Sequence, residues 1–336
     1  MGKEIFGQMN NYSGLQKKLH QLALSRQFMR ETAFDFESAI ISTEQDSENH
    51  VFVAGLARSG TTILLNALYE SSQFSSLSYD DMPFVLAPNL WSYLRLGKQI
   101  NDTVERAHND GIQVSFSSPE AFEEVFWMTF DQNDINTKEK FKSYVRLINM
   151  KYKKTRYLSK NNQNIRRVEQ ISDIFPRSQI LIPFRDPLQH SFSLLCQHQK
   201  FLEYSKNDVF ISNYMKWIGH TEFGPQYKAI HEKNLIFKNT LDINHWLEQW
   251  ILTYRNCYAQ LKHKNNVHFI CYEKLCSSEV YWKSILKLLD LGHEYSFQFK
   301  KSQKEFYLKI DDGLIEGASY LYSELTNCSL SNETRA

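Results

Sequence analysis

Residues 51–68, VFVAGLARSGTTILLNAL, give the clearest indication of the fold. Its first four residues are apolar and typical of a short buried strand, and residues 61–68 have the periodicity of an amphipathic helix. Between them lies a loop that is bounded by Gly55 and Gly60. A strand, a glycine-bounded loop and a helix in this order predict a site where backbone N–H groups and the helix N-terminus hold an anion.

Residues 178–204 have the same order of strand, loop and helix as residues 51–68. The apolar run SQILI, residues 178–182, leads into PFRDP and then into a helical pattern that reaches about residue 204. A third strand is predicted over residues 267–272, and a helix over 279–291 follows it. Strands separated by helices of this length predict an α/β fold, a parallel β-sheet flanked by helices, with ligands beyond the carboxyl ends of the strands.

The composition narrows the class of protein. Of the 336 residues 42% are hydrophobic, and 39 basic against 38 acidic residues leave a net charge of +1. These values exclude a disordered or low-complexity chain and argue against a nucleic-acid-binding role for the whole surface. No apolar run approaches the roughly 18 residues of a membrane span, and the N-terminus does not resemble a signal peptide. The five cysteines have no zinc-site spacing, so we expect a reduced, cytoplasmic protein without a bound metal.

The loop departs from the one that nucleoside triphosphatases use. Its frame is GxxxxG followed by two hydroxyl residues, but position 61 is Thr where those enzymes have the lysine that reaches the β- and γ-phosphates. The cation inside the loop is Arg58. A P-loop kinase or NTPase is therefore the weaker alternative.

With Arg58 followed by Ser-Gly-Thr-Thr, the loop resembles the 5′-phosphosulfate loop of sulfotransferases that use 3′-phosphoadenosine 5′-phosphosulfate (PAPS). Those enzymes carry a second motif after a later strand, an arginine with a serine eight residues on, and here Arg185 and Ser193 have that spacing. Residues 272–275, YEKL, resemble the Tyr-Glu-x-Leu that often ends a further strand in the family. The resemblance spans about residues 50–290 and implies the P-loop-like sulfotransferase fold.

The resemblance also implies roles for the matching residues. Arg58 would neutralise the bridging and leaving oxygens of the 5′-phosphosulfate, with help from the following residues of the loop and helix: Ser59, Gly60, Thr61 and Thr62. Arg185 and Ser193 would bind the 3′-phosphate, and the product would be the bisphosphate PAP. The family chemistry requires no metal.

The acceptor hydroxyl needs a general base, for which several carboxylates are candidates. Sulfotransferases of the carbohydrate and tyrosylprotein types place a glutamate just over twenty residues after the loop cation, where this chain has Asp80 and Asp81. We favour Asp81, although its position before a predicted helix is equally typical of an N-cap. The resemblance also suggests that Lys160 steadies the transferred sulfuryl group. Other candidates for the base are Glu123, Glu124 and His108.

The sequence thus predicts a PAPS-dependent sulfotransferase, and by analogy its acceptor is a carbohydrate such as a polysaccharide or glycolipid precursor. We expect residues 1–48 to form a helical lead-in, and residues 49–295 to form the sulfotransferase domain with a helical acceptor-site insertion at about 73–160. Residues 296–336 would be a tail packed on that domain. A non-catalytic nucleotide-binding protein with the same fold is a further alternative. Neither a nucleic acid partner nor a membrane span is expected.

Overall fold

A single parallel sheet of five strands lies at the centre of the structure, in the order β2-β5-β1-β6-β7. The structure is a computed structural model that describes residues 13–41, 48–94, 119–120, 122–206, 209–292, 296–301 and 303–330, and the backbone of 104–105 and 113–114. The strands are β1 (Val51–Val53), β2 (Phe74–Ser75), β3 (Val104–Glu105), β4 (Gln113–Val114), β5 (Arg156–Lys160), β6 (Gln179–Phe184) and β7 (Val267–Cys271). Strands β3 and β4 form a separate antiparallel pair.

Helices surround this sheet. In chain order they are α1 (Gly14–Ser25), α2 (Gln27–Ile40), α3 (Thr61–Tyr69), α4 (Pro88–Leu94), α5 (Glu124–Thr129), α6 (Asn136–Tyr152), α7 (Val168–Ile174), α8 (Pro187–Ser205), α9 (Val209–Trp217), α10 (Ile243–Leu261), α11 (Tyr272–Ser277), α12 (Glu279–Leu288) and α13 (Asp312–Cys328). Short 3₁₀ turns occur at Tyr79–Asp81, Asn162–Arg166, Gly224–Gln226 and Glu232–Asn234. The predicted α/β fold with a parallel sheet is confirmed.

The register of the sheet places the ends of its strands together. In the centre, β1 pairs with β5 so that Val53 lies opposite Lys160, and with β6 so that Val53 lies opposite Leu181. On the far side Phe184 of β6 lies opposite Cys271 of β7. Because all these strands are parallel, the loops that follow β5, β1, β6 and β7 meet at one edge of the sheet.

The region 73–160, for which the sequence predicts a helical acceptor-site insertion, has a strand at each end. These strands, β2 and β5, belong to the central sheet. Strand β5 is buried along most of its length although it begins with arginine and ends with lysine. The helical part of this region lies between those strands, in α4, α5 and α6.

Three histidines are held neutral by burial. His190 is fully buried and His198 nearly so, whereas His268 is half-buried in β7. Desolvation lowers the pKa of His190 to about 3, and those of His198 and His268 to about 4. In the unfolded chain each imidazole titrates near 6.5, so below that pH the unfolded state binds more protons and the fold loses stability.

We expect the free energy of unfolding to fall as the pH is lowered from 7 to 5, by roughly 1–2 kcal/mol for each of the three histidines. Urea denaturation at the two pH values measures this. His268→Gln should make the pH dependence shallower, whereas the control His263→Gln, at an exposed position, should not change it. Equal stability at pH 7 and pH 5 would contradict the assignment of buried neutral histidines.

Candidate active site

The loop after β1 packs tightly against the end of β6. A Cβ on Gly55 would lie 3.0 Å from the carbonyl oxygen of Pro183 and from Ser59 Oγ. Gly60 has φ +99° and immediately precedes α3, and a Cβ there would lie 2.4 Å from the ring of Tyr272. Gly60 is therefore required by close approach and by its backbone conformation, whereas a side chain at Gly55 would fit only if its neighbours shifted by a few tenths of an ångström.

The two predicted phosphate motifs meet in space. Arg58, in the loop after β1, donates from Nε to Ser193 Oγ of α8 at 3.1 Å. Arg58 also has a positive φ of 70°, an uncommon conformation that turns the chain within the loop. Ser59, Thr61 and Thr62 are buried in the loop and the first turn of α3. Residues 135 positions apart in sequence thus form one surface at the edge of the sheet.

A buried histidine of α8 holds the backbone of the loop. His190 Nε2 lies 2.8 Å from the carbonyl oxygen of Ala57, so this nitrogen carries the proton and donates it. Burial is the main reason that the pKa of His190 is low, and the nearby cations Arg185 and Arg58 lower it further. The neutral imidazole thereby holds the loop backbone while adding no charge to a site rich in arginine.

The YEKL segment after β7 supports both motifs. Tyr272 covers Gly60, and the Arg185 guanidinium carbon lies 5.9 Å from the centre of its ring. Glu273 Oε1 accepts a 3.0 Å hydrogen bond from the backbone N–H of Asp186, the residue that caps α8. These contacts fix the backbone beside Arg185.

A segment for which the sequence suggested no role crosses the start of α8. The side chain of Gln189 makes two 2.9 Å hydrogen bonds with the backbone of Lys304. Phe192 stacks on Phe306 with ring centres 4.4 Å apart, and the Tyr272 hydroxyl donates to the carbonyl of Lys300 at 3.0 Å. The described residues between 300 and 306 therefore border the region of Arg185 and Ser193.

Lys160 lies on the other side of the loop, at the end of β5. It is almost fully buried, and its Nζ lies 3.7 Å from Glu120 Oε1. Two residues further on, Asn162 Oδ1 accepts a 3.2 Å hydrogen bond from the hydroxyl of Thr61. The strand end that carries Lys160 is thereby tied to the N-terminus of α3.

The carboxylate of Asp81 is engaged in structural contacts. Its side chain is fully buried, and Oδ2 accepts hydrogen bonds of 2.7 Å from both the Ser78 backbone N–H and the Tyr152 hydroxyl. Oδ1 forms an ion pair with Lys151. The N-cap of this 3₁₀ turn is Ser78, and Asp81 closes a capping box as its third residue, so the predicted N-cap position of Asp81 is wrong. An acceptor could not approach this carboxylate without displacing its partners. Asp80 is half-buried beside it.

Glu123 is also enclosed. It is 2% exposed and accepts hydrogen bonds from Trp127 Nε1, the Tyr157 hydroxyl, Ser159 Oγ and Asn164 Nδ2. With four donors around it, the carboxylate is fully satisfied where it lies. Glu123 links α5 to β5, which is a structural role.

Glu124 is similarly occupied. Both of its carboxylate oxygens pair with Arg167, at 2.8 and 2.7 Å, and one also accepts from Asn161 Nδ2 at 2.8 Å. His108, the remaining candidate for the base, lies outside the described residues.

A different carboxylate lines a narrow recess beside the loop. Leu56, Ala57 and Asn162 form part of this recess, which has a volume of about 20 Å³, and Glu222 also lines it. Gln163 Nε2 donates to Glu222 Oε1 at 3.3 Å. Within the described part of the chain, the buried Oε2 has no hydrogen-bond partner. Oε2 lies 3.7 Å from Nδ1 of His220, and burial lowers the pKa of that histidine.

The described residues contain no group of three or more His, Cys, Asp or Glu side chains that could hold a metal ion. In the same ranges, no helix is both long enough and apolar enough to cross a bilayer.

The sulfotransferase family profile matches residues 50–222, about half of the chain, and this chain belongs to that family. The fold is similar to the sulfotransferase STF9 from Mycobacterium avium, with 12% identity, a TM-score of 0.44 and coverage of 96% of this chain and 88% of that one. It is also similar to STF1 from Mycobacterium tuberculosis H37Rv, with 11% identity, a TM-score of 0.44 and coverage of 91% and 81%. A sulfotransferase from Alicyclobacillus acidocaldarius has 12% identity and a TM-score of 0.37, with coverage of 83% of this chain and 93% of that one. No curated protein sequence matches the chain.

Sequence reasoning missed Glu120 and Glu222, which the fold brings to the same edge of the sheet as Lys160. Neither residue lies in a motif, and each reaches the site from a connecting segment far from the loop in sequence. The one available signal for Glu120 was its position next to the Ser-Pro at 118–119, which indicated only a helix start.

We expect Gly60→Ala to destabilise the loop by at least about 1 kcal/mol, because alanine disfavours a positive φ and its Cβ would strike the ring of Tyr272. Thermal unfolding measures the loss. Gly292→Ala is the matched control, since a Cβ there meets nothing within 4 Å. Equal melting temperatures for the two variants would contradict the tight packing described here.

Proposed function

We propose that this sulfotransferase uses PAPS as its donor and transfers the sulfuryl group to a hydroxyl of a carbohydrate acceptor. The observation that carries the proposal is the hydrogen bond between Arg58 and Ser193, which joins the glycine loop to the helix that follows Arg185. One ligand bearing phosphate groups at two positions can therefore contact both motifs at once.

The donor set of this chain suits the 5′ end of such a ligand. Helix α3 begins at Thr61, and the N–H groups of a first helical turn have no intrahelical partner and attract anions. Arg58 adds a positive charge, and its electrostatic effect on a leaving phosphate is strong in a site that excludes water. These groups would stabilise the charge that develops during in-line transfer.

Arg185 and Ser193 would bind the 3′-phosphate. A guanidinium and a hydroxyl provide charge-assisted and neutral hydrogen bonds to phosphate oxygens, and ATP lacks a phosphate at that position. Selection of PAPS over ATP would then depend on this pair. Membership of the sulfotransferase family and the threonine at position 61 both speak against the kinase or NTPase alternative.

Glu222 is our candidate for the general base. Its carboxylate lines the recess that the loop residues Leu56 and Ala57 share with Asn162, and Gln163 holds one of its oxygens. The second carboxylate oxygen would accept the proton of an acceptor hydroxyl. The hydroxyl oxygen attacks sulfur, and the bond between sulfur and the 5′-phosphate oxygen breaks, which releases PAP. Lys160, buried at the end of β5, would steady the transferred group as the resemblance suggested. Asp81 stays a prediction for the base, but its contacts favour a capping role.

Calorimetric binding of PAP and of ATP tests the donor. We expect PAP to bind more tightly than ATP, and Arg185→Ala to weaken PAP binding roughly ten- to hundredfold, because about 1.5–3 kcal/mol is lost with a charged hydrogen-bond donor. Arg177→Ala, at an exposed position, is the control and should bind PAP like the wild type. Equal binding of PAP and ATP, unaffected by Arg185→Ala, would overturn the assignment.

Transfer from labelled PAPS to a panel of sugars, phenols and tyrosine peptides tests the reaction and its base. Glu222→Gln should lower kcat by about a hundredfold or more and leave PAP affinity unchanged, because only the proton acceptor is lost. Asp81→Asn should chiefly lower the melting temperature. A large loss of kcat in Asp81→Asn with unchanged stability, together with an active Glu222→Gln, would instead identify Asp81 as the base.

The panel also decides the remaining alternative and the acceptor. A wild type that binds PAP but transfers nothing to any hydroxyl would favour the non-catalytic nucleotide-binding protein. Transfer to phenols or peptide tyrosine but to no sugar would refute the carbohydrate acceptor and leave the donor site in place. The cytoplasmic location remains a prediction from the sequence.

A further inference from the structure

A second and larger cavity lies next to the recess that contains Glu222. It has a volume of about 210 Å³, against about 20 Å³ for the recess. Its floor includes the buried side chains of Ile165, Val168 and Cys257, while Arg166 and Asn256 are exposed at its rim. An apolar floor with polar groups around the mouth is typical of a site for a small organic ligand.

One buried hydroxyl in this cavity has no partner. Thr253 lines the cavity and is 1% exposed, and its Oγ1 makes no hydrogen bond among the described residues. A threonine inside a helix commonly donates to the carbonyl four residues earlier, which this hydroxyl does not do. Because an unsatisfied buried polar group is costly, the cavity is suited to a ligand that offers a hydrogen bond there.

The cavity and the recess are neighbours along α10. Ile230 lines both of them, and the lining residues of α10 follow one face of the helix: Trp246 and Gln249 at the recess, then Thr253, Asn256 and Gln260 at the cavity. Gln249 and Asn256 are seven residues apart, which corresponds to about 10 Å along a helix axis. A ligand must therefore be elongated to occupy both spaces.

The charges around the cavity favour a neutral ligand. Arg166 and Glu169 carry opposite charges at its rim, and burial lowers the pKa of His231, which keeps that imidazole neutral near pH 7. The other polar groups are the hydroxyl of Thr253 and the amides of Asn256 and Gln260, which both donate and accept. Such groups match the hydroxyls of a sugar better than a phosphate or a carboxylate.

We propose that this cavity is a second acceptor subsite, and that the acceptor is an oligosaccharide or a similarly extended, hydroxyl-rich molecule. This inference rests on the proposed function. The narrow recess has room for about one water-sized group, such as the reacting hydroxyl. The larger cavity holds another sugar unit of the same acceptor, so binding energy far from the reacting group positions the hydroxyl beside the loop.

Calorimetry with linear hexose oligomers of increasing length, titrated into the enzyme saturated with PAP, tests the subsite. We expect the longest oligomers to bind at least about tenfold more tightly than the monosaccharide. Asn256→Trp, which fills the cavity from an exposed position, should remove that gain and leave monosaccharide binding unchanged. Thr253→Val, which removes only the hydroxyl, should reduce the gain. Lys262→Trp, at the exposed position that follows the last residue of α10 and does not line the cavity, is the matched control.

Three outcomes would overturn the inference: no gain in affinity with length, an equal effect of Asn256→Trp on every length, or binding of no saccharide. PAP affinity of each variant is measured in parallel, so loss of fold or of the donor site is recognised. A wild type that fails to bind PAP but still binds long oligomers through Asn256 and Thr253 would refute the proposed donor and leave the saccharide subsite standing.

Discussion

The hydrogen bond from Arg58 to Ser193 is the contact on which the rest of the site depends. It requires the loop after β1 and the helix after β6 to meet at one edge of the parallel sheet. Neighbouring elements hold the segments that carry both partners: His190 binds the carbonyl of Ala57 in the loop, and Glu273 binds the backbone N–H of Asp186, which caps the helix of Ser193. The cations are therefore positioned before any ligand arrives, which is the condition for effective electrostatic catalysis.

Buried carboxylates around this site stabilise the structure through their hydrogen bonds and ion pairs. The carboxylates of Asp81, Glu123 and Glu124 each bind several donors, and Glu123 thereby joins α5 to β5. Because those donors satisfy them, they leave little capacity for chemistry. Glu222 differs, since only one of its oxygens has a hydrogen-bond partner among the described residues, and its side chain lines the recess beside the loop. Environment, more than residue type, separates a candidate base from a structural carboxylate.

The sequence predicted the fold and pointed to the two motifs proposed to bind phosphate, because both depend on local patterns. The apolar run at 51–54 with its two glycines, and Arg185 with Ser193 at a fixed spacing, are readable without tertiary information. Strand β5 was missed because its ends are charged, although its register beside β1 buries Lys160. The surroundings of Asp81 and the placement of Glu222 depend on chain segments that meet only after folding. No spacing rule could have shown them.

A crystal structure of the protein with bound PAP would show directly whether the two motifs form a single donor site. We predict the 5′-phosphate within the loop 55–60 at the start of α3, the 3′-phosphate in contact with Arg185 and Ser193, and the Arg58–Ser193 contact between them. A bisphosphate bound elsewhere, or one whose 3′-phosphate contacts neither Arg185 nor Ser193, would contradict the view that these two motifs form a single donor site.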